Sequence, residues 1–286
     1  MTSLEIQPIS GCIGAEIRGI DLHQPLTSEL ARTLNQALLD HLVIFFPEQK
    51  LTPDEHLAFG KALGEPFLDH PAYLPTLPER PEVVVLSGEE GGRADVWHSD
   101  VTISETPPAG SILSMQTCPK HGGDTQWANM YAAYDALSDN MKSYLEGVTA
   151  LHDLTQTVQR LMQDRSNLDS PKKEQDGSSM TPASSGLPTA IHPVIRTHPE
   201  TGRKAIFVNP TFTSHLIGIP VPEGNAILEF LYAHSVQPEF LCRRRWSEGD
   251  VGWWDNRCTM HYAIADYGAD VTRVIHRVTL QGDRPV

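Results

Sequence analysis

The N-terminal part of the chain shows first helical and then strand-like spacing of its apolar residues. Residues 28–42 place leucines along one face of a helix, and residues 42–46 form a continuous apolar run that stops at Pro47. The leucines of the helical face are Leu30, Leu34, Leu38 and Leu39. This pattern predicts an amphipathic helix followed directly by a buried strand.

A second helix is predicted from its boundary signals. Thr52, Pro53 and Glu55 occupy the cap, first and third positions of a helix start. A threonine hydroxyl and a glutamate in these positions can bond backbone N–H groups that the helix itself leaves free. Gly64 follows the last apolar residue of the segment and is the expected end of this helix.

The remaining pattern predicts strands towards both ends of the chain with helices between them. A short strand and turn are expected in residues 4–17, strands at 83–86, 111–116 and 149–154, and a helix over 131–145. Beyond residue 189 strands predominate, around a helix near 223–235, and no repeat or second domain is visible. We therefore predict a mainly β fold with flanking helices (α+β), as one domain over residues 1–286.

One segment departs from this pattern. Residues 167–188 are rich in Ser, Pro, Lys and Asp and contain almost no apolar side chains. Such a composition buries too little surface to offset the entropy lost on ordering, so the segment is expected to be mobile. It can be either an inert surface insertion or a functional loop.

Charge and cysteine content narrow the classes of function. A net charge of −14 disfavours nucleic acid and anionic membranes as partners. The sequence has no apolar run long enough to span a membrane and no charged-then-apolar leader at its start. The four cysteines, which form no CxxC pair, are Cys12, Cys118, Cys242 and Cys258. Reduced thiols and a cytoplasmic location are therefore expected.

The first chemical candidate is His98-Ser99-Asp100 together with the distant His261. In an extended segment His98 and Asp100 point to the same face and can bind one cation. Two imidazoles and one carboxylate on one face leave the opposite positions of a ferrous ion free for a co-substrate and dioxygen. Alone, a His-x-Asp triplet is a weak signal, because a surface histidine beside an aspartate is common.

A strand near the C-terminus carries the second candidate. Residues 273–278 are rich in β-branched side chains. Period two places Arg273, Ile275 and Arg277 on one face, with the arginines about 13 Å apart. A guanidinium on a buried face requires an anion and suits a carboxylate or a sulfonate. Solvated arginines on an exposed strand are the alternative, but two anion sites are the better account beside a metal triad.

These candidates belong to a longer series of motifs, in order: IRGIDL at 17–22, WHSDVT at 97–102, ETPPAG at 105–110, GGDT at 122–125, HPVIRTHP at 192–199, and residues 254–267. With them the chain resembles the taurine dioxygenase family of iron(II)- and 2-oxoglutarate-dependent oxygenases, which includes alkylsulfatases and phenoxyalkanoate dioxygenases. The resemblance covers nearly the whole chain. It implies a double-stranded β-helix (jelly roll) core, and it matches residues 155–188 to the family's active-site lid.

The resemblance implies roles for the metal and co-substrate residues. His98, Asp100 and His261 match the iron ligands and hence the catalytic centre. Arg273 matches the arginine that binds the distal carboxylate of 2-oxoglutarate, and Thr125 of the GGDT motif matches its hydroxyl partner. The implied cofactor is Fe²⁺, with 2-oxoglutarate and dioxygen as co-substrates.

The resemblance also implies a substrate pocket. Arg277 matches the arginine that receives a substrate sulfonate, and His70, Tyr73 and Phe212 match residues that line the pocket. From the sequence alone, His70 is nearly as well explained as a surface-loop histidine, and Phe212 equally well as a core residue.

The chain departs from the taurine pocket at three positions. Ala94 stands where the family places an asparagine, and Thr157-Val158 stand where it places a Ser-Phe pair. Losing an amide and an aromatic ring removes contacts to a small zwitterion, while the arginine for the anion is kept. The departures favour a bulkier or more apolar organosulfonate or sulfate ester over taurine.

The implied reaction is hydroxylation of a small organic anion, an organosulfonate or alkyl sulfate, releasing sulfite or sulfate plus an aldehyde, with succinate and CO₂. The expected partners are this small molecule and other copies of the chain. Three alternatives stay open: an aryloxyalkanoate as substrate, a zinc-dependent hydrolase that uses a bound water as nucleophile, and a non-catalytic protein that binds sulfonates or keto acids.

Overall fold

A computed structural model describes residues 4–70, 74–87, 94–158, 188–268 and 271–286. Its strands are β1 Glu5–Pro8, β2 Ala15–Arg18, β3 Val43–Phe46, β4 Thr76–Leu77, β5 Arg80–Ser87, β6 Gly110–Thr117, β7 Thr125–Asn129, β8 Thr149–His152, β9 Ala190–Pro193, β10 Ile195–Thr197, β11 Lys204–Ile206, β12 Thr213–Leu216, β13 Leu241–Arg244, β14 Val251–Asp255, β15 Thr259–Ala263 and β16 Val274–Leu280. The helices bounded within these residues are α1 Ser28–His41, α2 Pro53–Leu63, α3 Met130–Asp135, α4 Asp139–Leu145 and α5 Val221–Ser235, with a 3₁₀ turn at Pro238–Phe240.

The strands form two layers. Eight strands form one sheet in the order β1-β2-β3-β14-β6-β16-β5-β4, and smaller sheets of order β13-β7-β15, β12-β8-β9 and β10-β11 make up the second layer. Pairing is antiparallel except between β2 and β3. Neighbours in a sheet are mostly distant in sequence, which is typical of the predicted jelly roll.

The core between the layers contains side chains from both. Phe45, Trp254 and Ile275 of the large sheet pack in one buried cluster with Trp127 and Met260 of the β13-β7-β15 sheet. Phe45 meets Trp127 edge-on, with ring centroids 5.2 Å apart. The strands that will carry the candidate site, β7, β15 and β16, therefore share one rigid core.

The outer face of the large sheet is covered by α1 and α2. Leu34 of α1 and Phe59 of α2 lie in a second buried cluster with Phe46 and Val278 of the sheet. Because neighbouring strand residues point to opposite faces, Phe45 contacts the inner core and Phe46 the helices. Burial on both faces explains why residues 43–46 are apolar without alternation.

The predicted helix boundaries are confirmed for α1 and α2. Thr27 caps α1 by accepting from the Leu30 N–H, and Leu42, with φ of 66°, ends the helix one residue before β3. The Thr52 cap, the Pro53 start and the Glu55 capping box of α2 all form, and Gly64 ends the helix.

The single helix predicted over 131–145 is wrong, because the structure has α3 and α4 in its place. Ser138 accepts a hydrogen bond from the Met141 N–H and so caps a new helix start. Asn129 caps α3 in the same way through the Ala132 N–H. Apolar spacing continues across this break, so the pattern alone did not reveal it.

Two further expectations concern the whole chain. No helix among the described residues is long and apolar enough to cross a membrane. The four cysteines are free thiols, and burial raises the pKa of Cys242 to about 12. A thiol of such high pKa is unreactive at neutral pH.

Candidate active site

His98 and His261 are placed directly opposite each other by backbone pairing. The His98 N–H donates to the His261 carbonyl at 3.0 Å, and the His261 N–H donates to the His98 carbonyl at 2.7 Å. His261 is the central residue of β15, whose pairing with β7 holds it against the core. The two imidazole centroids are 4.1 Å apart, so two residues separated by more than half the chain meet at one point.

Asp100 completes a cluster that could hold a divalent cation. Its Oδ1 lies 3.8 Å from His98 Nε2 and 3.9 Å from His261 Nε2. One ligand atom from each residue fits within 4.8 Å of the others, and all three side chains are buried. His98 Nδ1 is 2.8 Å from the Val96 carbonyl, which can only accept, so Nδ1 carries the proton and Nε2 keeps its lone pair for a metal.

The Asp100 carboxylate is oriented by two donors. Ser111 Oγ donates to Oδ2 at 2.8 Å, and Arg277 Nη1 donates to Oδ1 at 3.0 Å. Burial by itself raises the pKa of Asp100, but the charges of Arg277, His261 and His98 lower it by more, and the net pKa lies below the ordinary value. The residue is therefore a carboxylate at neutral pH, the form that binds cations.

Asn256 holds the backbone of the aspartate, and the sequence did not reveal this contact. Its Oδ1 accepts from the Asp100 N–H at 2.6 Å, and its Nδ2 donates to the Asp100 and Pro108 carbonyls, both at 3.0 Å. Next to this clamp Val101 has φ of 48°, a conformation that is unfavourable for a β-branched residue. Asn256 thus offsets local strain and keeps Asp100 pointing at the two histidines.

Asn256→Ala is expected to lower the free energy of unfolding by about 2–4 kcal/mol, because three buried backbone groups lose their partner. Mn²⁺ affinity should fall with it, since Asp100 is no longer held. Chemical denaturation and Mn²⁺ titration followed by electron paramagnetic resonance measure the two effects. Asn129→Ala is the matched control, because Asn129 is also buried and bonds the Cys12 carbonyl and the Ala132 N–H. Equal Mn²⁺ affinity of the two variants would contradict the clamp.

Arg273 and Thr125 meet beside the GGDT loop. Arg273 Nε donates to the Gly123 carbonyl at 3.1 Å, and Nη2 lies 3.4 Å from Thr125 Oγ1. Gly123 has φ of 71°, and a Cβ there would lie 3.2 Å from Arg273 Cδ. Burial lowers the pKa of Arg273, yet a guanidinium stays charged at any physiological pH. Both of these protein partners are uncharged, so the pair suits a carboxylate ligand.

Arg277 is buried and only partly satisfied. Its side chain is 7% exposed, and Nη1 is bonded to Asp100. Nε and Nη2 are buried with no hydrogen-bond partner among the described residues. A buried guanidinium with two unmet donors is costly unless an anion binds there.

His70 lies near this arginine and is half-buried. Both of its ring nitrogens are buried and lack a partner within the described ranges, and its ring meets Phe67 edge-on at 5.5 Å. Burial, and then the charge of Arg277, lower the pKa of His70 to about 4. At neutral pH it is an uncharged ring that can donate one hydrogen bond to a ligand.

A buried apolar cluster lies next to the triad. We call it the apolar wall; its members are Phe67, Val101, Ile103, Leu154 and Phe212, with Val158 packed against them. Phe212 meets the His98 ring edge-on at 6.4 Å, and Val101 follows Asp100 directly. The Thr157 hydroxyl donates to the Thr211 carbonyl at 3.3 Å and so is turned towards protein.

Two predicted features fall partly or wholly outside the described residues. Tyr73 lies in the undescribed stretch 71–73, and of the lid predicted at 155–188 only residues 155–158 and 188 are described. Ala94 is described: its carbonyl accepts from the Ala263 N–H at 2.9 Å, which ties it to the strand of His261.

A second cluster of metal-ligand type is formed by His198, Asp255 and Cys258. Asp255 Oδ2 accepts from His198 Nε2 at 3.0 Å and from Arg257 Nη2 at 2.7 Å, and Oδ1 accepts from Arg257 Nε at 2.9 Å. The carboxylate is thus saturated by a cation of the protein itself. This cluster is a structural ion pair, whereas in the His98 cluster Nε2 of His98 and Nε2 of His261 have no hydrogen bond within the described residues.

Comparison with known proteins agrees with this geometry. The family described as Taurine catabolism dioxygenase TauD, TfdA family matches residues 5–279. An alpha-ketoglutarate-dependent sulfate ester dioxygenase of Pseudomonas putida is 37% identical over 284 residues, covering 99% of this chain and 91% of that protein. An alkylsulfatase of Acinetobacter baylyi is 35% identical over 285 residues, covering 98% of this chain and 86% of its own length.

Solved structures of this family are also similar to the chain. The crystal structure of a taurine dioxygenase from Burkholderia xenovorans aligns with a TM-score of 0.82 at 35% identity, and the alignment covers 99% of this chain and 93% of that chain. The mainly β fold and the jelly-roll core are therefore shared over the full length.

Proposed function

The chain belongs to the taurine catabolism dioxygenase TauD, TfdA family, and on that premise we propose that it is an iron(II)- and 2-oxoglutarate-dependent dioxygenase of alkyl sulfates or apolar organosulfonates. The expected products are an aldehyde with sulfate or sulfite, together with succinate and CO₂. Two relatives whose names include sulfate ester dioxygenase and alkylsulfatase support this substrate class.

The metal would be held by His98, Asp100 and His261, whose donor set suits iron(II) with positions left open. Iron(II) with bound 2-oxoglutarate and dioxygen would supply the oxidising chemistry for an unactivated carbon. Arg273 and Thr125 would bind the distal carboxylate of 2-oxoglutarate. A zinc-dependent hydrolase would not require this cation and hydroxyl pair.

The substrate assignment depends mainly on the buried and partly unpaired guanidinium of Arg277. Its Nη1 bonds Asp100, while Nε and Nη2 are buried and unpaired in the described structure. A sulfate or sulfonate bound there would accept hydrogen bonds from both of these nitrogens. The neutral His70 ring could donate a further hydrogen bond to it. The carbon bearing the sulfur group would then lie near the Asp100 end of the triad, because one guanidinium contacts both. Positioning of this kind is most of what the protein adds to the reaction.

The apolar wall supports a substrate with a hydrocarbon tail. Phe212 lies beside His98 and Phe67 lies beside His70, so a tail bound there would meet apolar side chains. Burying one methylene contributes about 0.8 kcal/mol. The described members of this wall are all apolar, so they offer the ammonium group of taurine no carboxylate in exchange for its lost water. Val158 packs against the wall where the taurine pocket has an aromatic ring, and valine is the smaller side chain.

A substrate panel tests the proposal. With iron(II), 2-oxoglutarate and oxygen, we expect hexyl sulfate and hexanesulfonate to exceed taurine in kcat/KM by at least about tenfold, because apolar groups each shift preference by about 1–3 kcal/mol. The kcat/KM of butanesulfonate should lie between those of hexanesulfonate and taurine. Release of sulfate or sulfite is measured, with phenol release from a phenoxyalkanoate as a further arm. A clear preference for taurine would refute the pocket argument, and a preference for the phenoxyalkanoate would move the enzyme to that substrate class.

Testing Arg277→Ala with the same substrates separates the contribution of the anion site from that of the apolar wall. It should depress all sulfur substrates together and leave their ranking unchanged, because the lost contact is common to them. Since Arg277 also bonds Asp100, Mn²⁺ affinity is measured in parallel. Arg277→Lys keeps the charge but not the two-pronged geometry, and it should recover part of the activity.

We also propose a cytoplasmic location and an assembly of identical chains. The four unpaired thiols support a reducing compartment.

A further inference from the structure

Thr125 has a second polar neighbour besides Arg273. Trp246 Nε1 lies 2.9 Å from Thr125 Oγ1, and both residues are buried, with relative exposures of 5% and 3%. The contact follows from strand register: β13 ends at Arg244, which pairs with Thr125 of β7. Trp246 follows two residues later, and its indole N–H reaches the threonine hydroxyl.

The chemistry of the two neighbours determines what the Thr125 hydroxyl can do. A hydroxyl has one proton to donate and two lone pairs to accept with. An indole N–H and a guanidinium can only donate, so Trp246 and Arg273 both direct protons at the lone pairs of Oγ1. The described residues contain no hydrogen bond that this hydroxyl donates. Its proton is thus left for a ligand that accepts, beside the arginine.

Trp246 differs from the other fully buried tryptophans in this respect. Nε1 is buried and has no partner in the described structure at Trp127, Trp253 and Trp254. Trp246 is held edge-on against Phe45, with centroids 6.0 Å apart, and against Trp127, with centroids 6.1 Å apart. Its ring is therefore fixed by packing with the N–H aimed at Thr125, which is a specific contact rather than a general property of these indoles.

We propose that Trp246 is a positioning residue for 2-oxoglutarate: its indole N–H occupies a lone pair of Thr125, so that the threonine hydroxyl donates to the distal carboxylate gripped by Arg273. This inference rests on the proposed function. It assigns Trp246 no contact with the ligand. Without the indole, the hydroxyl is free to turn its lone pair towards the carboxylate, and the ligand loses a donor.

The test is the dissociation constant of 2-oxoglutarate for the Mn²⁺-loaded protein, measured by calorimetry without turnover. Trp246→Phe is expected to weaken binding by about fivefold to twentyfold, as expected for a misdirected hydrogen bond to a charged group. Binding of 2-oxopentanoate, which has the same chain length but no distal carboxylate, should be unchanged. Steady-state kinetics should show the same rise in KM for 2-oxoglutarate, with kcat little altered.

Trp253→Phe is the control. It makes the same substitution at a buried tryptophan that packs in the other cluster, away from Trp246, and its Nε1 has no hydrogen-bond partner among the described residues. Thermal melting should fall comparably in the two variants, while only Trp246→Phe weakens 2-oxoglutarate. If Trp246→Phe is too unstable to purify, 3-benzothienylalanine placed at position 246 keeps the ring shape and removes the N–H.

A double-mutant cycle with Thr125→Val completes the test. In the Thr125→Val background, Trp246→Phe should have no further effect on 2-oxoglutarate binding, because the hydroxyl it orients is gone. Equal affinity of Trp246→Phe and Trp253→Phe, or an effect that persists without the hydroxyl, would overturn the inference and leave the proposed function standing. Absence of 2-oxoglutarate binding by the unmodified protein would overturn both.

Discussion

Asp100→Ala is expected to abolish turnover with iron(II) and 2-oxoglutarate and to weaken Mn²⁺ binding by at least about a hundredfold. The substitution removes one of three side chains whose ligand atoms lie within 4.8 Å of one another. It also removes the negative charge at the centre of the cluster, and it leaves Arg277 buried without its ion-pair partner. Breaking a buried pair in this way costs about 3–5 kcal/mol of stability, so a folding measurement must accompany the assay.

Two further variants separate metal binding from folding. Asp100→Asn keeps the size of the side chain and an acceptor for Ser111, and it should retain the fold while losing most of the metal affinity. Ser111→Ala removes only the hydrogen bond to Oδ2, so its effect on Mn²⁺ affinity should be much smaller. Wild-type turnover by a folded Asp100→Ala protein would show that the metal assignment is wrong.

Arg273→Ala is expected to weaken 2-oxoglutarate binding by about 2–5 kcal/mol and to leave Mn²⁺ affinity nearly unchanged. The reason is that the distal carboxylate would enter a buried site without the guanidinium that is expected to pair with it. The KM for 2-oxoglutarate and its dissociation constant for the Mn²⁺-loaded protein measure this effect.

Arg243→Ala is the control for Arg273→Ala. Arg243 is about half exposed and pairs with Asp124 of the same GGDT loop at 2.6 Å. The Arg243 end of this pair is half exposed, so solvent screens its charge, and this variant should change the KM for 2-oxoglutarate by less than about threefold. Unchanged co-substrate dependence in Arg273→Ala would remove the role assigned to this arginine.

Local sequence signals were sufficient for much of the fold. The capping box at Thr52 and the two-sided burial of residues 43–46 depend on a few neighbouring residues and were predicted correctly. The break between α3 and α4 was missed, because the Ser138 cap competes with a helical pattern that continues through it.

The residues of the candidate site were also selected in part from the sequence. Motif spacing selected His98, Asp100 and His261, and the structure brings them into one cluster. It likewise places Arg273 beside Thr125. The roles of these residues remain predictions that the proposed experiments test.

By itself the sequence determined the fold class, the helix boundaries with strong caps, and the residue types able to bind a metal and two anions, because these follow from short-range periodicity and from the chemistry of single side chains. Only the tertiary structure showed which other residues orient these side chains. Asn256 lies 156 residues from the Asp100 backbone that it clamps, and Trp246 lies 121 residues from Thr125. Such contacts arise from strand register and the packing of two layers. No local pattern records them, because each partner alone is an ordinary buried residue.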